Sequence, residues 1–125
     1  MASDNERIVN EFCKTWSTLN IDKVMEYFAD DAVYHNIPLD PARGKAAIRK
    51  TIDGFMPGTT SAEFKILNSA AVGAIVFNER VDSFVVNGKH VAVPVVGVFE
   101  LEGSKIKAWR DYFDLPTYVN QIKDK

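Results

Sequence analysis

The sequence predicts an α+β domain in which N-terminal helices pack on one face of a curved, mixed β-sheet and enclose an apolar pocket. Three observations carry the order of helices and strands in that expectation. Apolar residues recur at helical spacing through most of the first 58 residues. After Pro57-Gly58 the pattern changes to stretches rich in β-branched and aromatic residues, the mark of strands. Asn87-Gly88 then supplies a strong hairpin signal, because both residues tolerate positive φ. Helices first and a meander afterwards is the order of an α+β fold.

Each element follows in turn. Ser3 and Glu6 have the spacing of a capping box, and Ile8, Val9, Phe12, Trp16 and Leu19 form one apolar stripe behind it. Asn20 reads as the N-cap of a second, shorter helix with Ile21, Val24, Met25 and Phe28 facing inward. "DDAVYHNIPL" reads as an extended segment that Pro38 ends. A third helix is expected from Lys45 to Phe55, burying Ala47, Ile48, Ile52 and Phe55, with Pro57 and Gly58 as its stop. Four strands follow in "SAEFKILNSA", "AIVFNERVDSFVV", "HVAVPVVGVFEL" and "KIKAWRDYFD", with a second turn at Glu102-Gly103-Ser104. The last three should form an antiparallel meander. Pro94 inside its strand points to an edge position or a bulge. Pro116 suits the first turn of a short C-terminal helix.

Composition narrows the classes of function. A chain of 125 residues, 46% apolar and 26% charged, fits one domain spanning 1–125 with one core. A net charge of −2 with interleaved signs offers no basic patch for nucleic acid. One cysteine, Cys13, excludes an intramolecular disulfide and a cysteine-rich zinc site, and its apolar helical setting marks it as a buried spectator. No apolar run approaches the roughly 18 residues of a membrane span. "MASDNERIVNEF" lacks the basic start and apolar core of a signal peptide, so a cytoplasmic protein is expected. His35 and His90 are too far apart in the strand scheme for a metal pair and read as ordinary surface residues.

The informative charges lie in the strands. Side chains alternate faces, so Arg80 and Asp82 of "NERVDSF" point the same way, together with Val76, Phe84 and Val86. In the last strand Trp109, Asp111 and Phe113 share a face, and Val91, Val93 and Val95 make an apolar row between. Two readings stand open on pattern alone. These charges form a solvated ion pair on an outer face, nearly neutral in energy, or they sit at the base of an apolar pocket. The aromatic company favours the pocket, since Trp109, Phe113 and Phe84 are costly to gather in water. Two carboxylates and one guanidinium are tolerable in a dry site when their charges nearly cancel. One shared proton achieves this and leaves one acid and one base side by side. Tyr34 and Asn36 alternate onto one face of the first extended segment and could hold a water molecule for the base.

The segments "YHNIPL", "NERVDSF", "GVFEL" and "WRDYFDL", in that order, resemble the limonene-1,2-epoxide hydrolase family, which has the cone-shaped NTF2-like (SnoaL-like) fold. The resemblance implies an Asp-Arg-Asp set at Asp82, Arg80 and Asp111, with Tyr34 and Asn36 positioning water. It implies hydrolysis of a small apolar epoxide to a vicinal diol in one step, without a covalent ester and with neither metal nor cofactor. Phe84, Val93, Val95, Trp109 and Phe113 are expected to shape the substrate pocket. A homodimer through the sheet is also expected by resemblance. Two other readings remain open on the same fold. One is a ketosteroid-isomerase-like or polyketide-cyclase-like enzyme, which has no need of an arginine tied between two acids. The other is a non-catalytic module that binds a small ligand or dimerises.

Overall fold

A computed structural model describes residues 4–123. Helix α1 (Asp4–Thr15) is followed by a 3-10 turn (Trp16–Thr18) and α2 (Ile21–Met25). Val9, Phe12 and Cys13 of α1 are fully buried, as is Trp16 beyond it. The Asn20 side chain accepts the Lys23 amide at 3.2 Å and caps α2 as its sequence suggests. The Ser3–Glu6 capping box lies outside the described residues, because Ser3 is not among them. Two expectations at this end are corrected. Leu19 ends the helical stripe in a left-handed turn at φ 59°, and Phe28 opens a strand instead of continuing α2. Phe28 is nonetheless fully buried: Tyr27 and Phe28 turn the chain into the sheet, so its ring reaches the core from a strand.

Strand β1 (Phe28–Asn36), the two-residue β2 (Ala42–Arg43) and α3 (Lys45–Phe55) come next. The β2 bridge was not legible, being too short to show a period. Four long strands follow: β3 (Thr59–Val72), β4 (Ile75–Val86), β5 (Lys89–Glu102) and β6 (Lys105–Tyr112). Helix α4 (Leu115–Lys123) closes the described chain, and Asp114 caps it by accepting the Thr117 amide at 3.0 Å. The β4–β5 hairpin turns at Asn87 (φ 52°) and Gly88 (φ 82°), so both residues adopt the left-handed region that the dipeptide tolerates.

The sheet order is β2-β1-β6-β5-β4-β3, antiparallel except for the parallel β1–β6 pair. That one parallel contact makes the sheet mixed and carries Tyr34 and Asn36 to the side of β6. The helices cover one face of the sheet, with Phe12 at the centre of the core and edge-on to Trp109 at 5.0 Å.

Pro94 refines the edge expectation. By strand order β5 is internal, yet its pairing with β6 runs only from Val96 to Glu102. Over residues 89–95 one side of β5 has no neighbouring strand. Gln121 of α4 covers that side, accepting from the Ala92 amide and donating to its carbonyl, both at 2.9 Å. Pro94 shares the parity of Ala92, so its missing N–H falls where no ladder bond is lost.

Candidate active site

Strand alternation turns Asn78, Arg80 and Asp82 to the inner face, and all three are buried. The register then assembles the rest. Asp82 stands opposite Val93, Arg80 opposite Val95 and Asn78 opposite Gly97. Gly97 in turn faces Asp111, and Asn36 pairs with Asp111 on the other side of β6.

Arg80 is completely buried and all five of its N–H donors are used. Nε and Nη2 donate to the two oxygens of Asp82 at 2.9 and 2.7 Å. Nη2 and Nη1 donate to the two oxygens of Asp111 at 2.9 and 3.2 Å. The remaining Nη1 hydrogen goes to Asn78 Oδ1 at 2.9 Å. Asn78 is itself anchored to α1, its Nδ2 donating to Cys13 Sγ at 3.5 Å. The Phe64 ring lies over the guanidinium, 4.9 Å from centroid to Cζ. A planar fork joining two carboxylates is geometry that an ammonium cannot reproduce.

Burial alone disfavours a charged Arg80, but Asp111 and Asp82 outweigh it and hold its pKa well above the ordinary value. Asp82 moves the other way. Burial raises its pKa to about 6, against the pull of Arg80's hydrogen bonds and charge, and Asp111 adds to the rise. Burial also raises the Tyr34 phenol, keeping it a neutral hydroxyl. Cys13, in the same buried region, is pushed up to about 12, chiefly by desolvation, and stays a thiol.

Asp111 has a further partner, since Trp109 Nε1 donates to its Oδ1 at 2.6 Å. Tyr34 stacks on Trp109 with centroids 4.3 Å apart and planes 16° from parallel. The Asn36 amide donates to the Tyr34 hydroxyl at 3.0 Å.

A cavity of about 650 Å³, including its open mouth, rises from this cluster. Tyr34, Asn36, Asp82 and Asp111 supply the polar groups at its base, while Phe84, Val93, Val95 and Phe113 form part of the wall. Arg80 lies beneath and does not face the cavity. Trp109 corrects the expectation of a pocket-wall residue. It is fully buried beneath Tyr34 and meets the site through its indole N–H. It shares the parity of Asp111, but its ring stacks behind that of Tyr34, which lines the cavity, and packs with the core rings of Phe99 and Phe28.

Several contributors were missed in the sequence. Phe55, Phe64 and Leu39 line the cavity, as do Leu115 and Tyr118 of α4. Asn78 had a usable signal, the parity it shares with Arg80 and Asp82. Leu39 and the α4 residues had none, because loop and helix docking leave no mark in local periodicity.

A mixed sheet and helices closing on a cavity with its polar groups gathered at one end define the NTF2-like class. An NTF2-like protein of unknown function from Burkholderia pseudomallei K96243 matches with a TM-score of 0.86 at 15% identity, over 98% of this chain and 100% of its own. Within that class the chain belongs to the limonene-1,2-epoxide hydrolase family, whose catalytic-domain model matches residues 3–123. It is 35% identical to epoxide hydrolase EphG of Mycobacterium tuberculosis (strain ATCC 25618 / H37Rv) over 107 residues, 86% of this chain and 71% of EphG. It also matches the solved structure of an M. tuberculosis LEH-like epoxide hydrolase with a TM-score of 0.82 and 30% identity, over 96% of this chain and 92% of that one.

Proposed function

We propose that the protein is an epoxide hydrolase that converts a small apolar epoxide and water to a vicinal diol in one step. The observation that carries the reading is Arg80, buried beneath the cavity and doubly bonded to both carboxylates. Such a set is close to neutral only when Asp82 and Asp111 share one proton, which leaves an acid and a base held together.

In the proposed step Asp111 accepts a proton from a water molecule held with Tyr34 and Asn36. The water oxygen attacks an epoxide carbon while that carbon's bond to the ring oxygen breaks. Asp82 gives its proton to the departing oxygen. The turn ends with the proton on Asp111 and the charge on Asp82, so the net charge of the set is unchanged. Arg80 touches both acids and stays paired throughout. Transfer of the proton from Asp111 back to Asp82, through solvent, resets the site. Exclusion of water by the apolar wall strengthens each of these electrostatic interactions. Neither a metal nor a cofactor enters the step.

Incubation with a panel of cyclic and terpene epoxides, with diol measured by chromatography, tests the reading. Wild type should form diol from at least one member, and Asp111→Asn should lose at least about a hundredfold in rate. Absence of diol from every epoxide in the panel would reject it.

A further inference from the structure

Gly97 lies in the middle of β5, where glycine is unfavourable because it loses the most chain entropy and has no side chain to pack. Its φ is outside the positive region that glycines such as Gly88 occupy, so backbone conformation does not account for it. The register supplies the reason. Gly97 is paired with Asn78 on one side and Asp111 on the other, on the face that carries the cluster. A Cβ at position 97 would overlap Arg80 Nη1 and stand 2.9 Å from both Asn78 Oδ1 and Asp111 Oδ1.

We propose that Gly97 is a positioning residue whose missing side chain is the slot for the Arg80 guanidinium. This deepens the epoxide hydrolase reading and rests on it for its effect on turnover, while the slot itself is a matter of geometry. The fork has no other place to lie. Two of its edges are committed to Asp82 and Asp111, Asn78 closes the third, and Phe64 covers a face. A methyl group here meets the side-chain atoms of Arg80, Asn78 and Asp111 before it meets the backbone of the sheet. The damage should fall on the spacing of the two carboxylates more than on the fold.

A double-mutant cycle separates this role from packing. Gly97→Ala should lower kcat by about a hundredfold and change KM by no more than about threefold. In the Arg80→Lys background, where Nη1 is gone, the same substitution should change the residual kcat by less than about threefold. Equal losses in both backgrounds, or wild-type kcat in Gly97→Ala, would overturn the slot. If Gly97→Ala is recovered unfolded, adding Arg80→Lys must restore folding, and failure to do so overturns the proposal. If wild type opens no epoxide, the function reading fails separately. The slot is then read from the Arg80 Nε–H resonance, which should shift in Gly97→Ala and whose constancy would overturn the proposal.

Discussion

Asp82 shows how the site trades stability for chemistry at the level of one residue. Its pKa is raised from 3.8 to about 6, first by burial and further by Asp111, against Arg80. A carboxyl group whose folded pKa is raised binds its proton more tightly in the folded state. Its contribution to stability is present below the unfolded value and is lost as pH rises through the folded one. Asp82→Asn keeps the shape and removes the titration. The melting temperature of this variant, minus that of wild type, should therefore grow more positive between about pH 4 and pH 7, on the order of 5 °C. Calorimetry at the two pH values reads it, and a difference that stays constant or shrinks would contradict the raised pKa. The parity of "NERVDSF" made Arg80 and Asp82 legible, and "WRDYFD" did the same for Asp111. Parity could not show whether the face was wet or dry, since that depends on which helices cover it. It also could not tell a ring in the cavity wall from a ring behind it, and Trp109 fell on the wrong side of that distinction.

At the scale of elements, α4 supplies part of the cavity wall. None of its described residues is fully buried, yet Leu115 and Tyr118 line the cavity. Gln121 holds the helix to the exposed side of β5 through both polar groups of Ala92, and Lys89 Nζ donates to the Ile122 carbonyl at 2.9 Å. Gln121→Ala should release this attachment and loosen the apolar wall without touching the acids. Steady-state kinetics with an apolar epoxide should show KM raised about three- to tenfold and kcat within about twofold. Equal falls in kcat with KM unchanged would place α4 in the chemical step instead. Strands with β-branched runs and a clear Asn-Gly turn are legible to within a few residues, and α3 to its ends. The parallel β1–β6 pairing that brings Asn36 beside Asp111 had no local signal. Parallel pairs are joined through long connections, so the contact is fixed only when the whole sheet forms.

For the whole molecule, the outer face of the sheet is the counterpart of the buried one. Leu67, Phe77, Val96 and Tyr112 are each between 41% and 48% exposed there, which gathers large apolar side chains on the uncovered side. The homodimer expected through the sheet is proposed to cover this face. Sedimentation should give twice the chain mass for wild type and a shift toward monomer for Phe77→Lys, whereas a monomeric wild type would remove the dimer. The central claim, that two acids tied by one buried arginine open an epoxide directly with water, is tested by one single-turnover reaction in water labelled with heavy oxygen. The label should appear in the first equivalent of diol, with none in the peptides that carry Asp82 and Asp111. An unlabelled first equivalent, with label found later in either aspartate, would establish a covalent ester and contradict the mechanism.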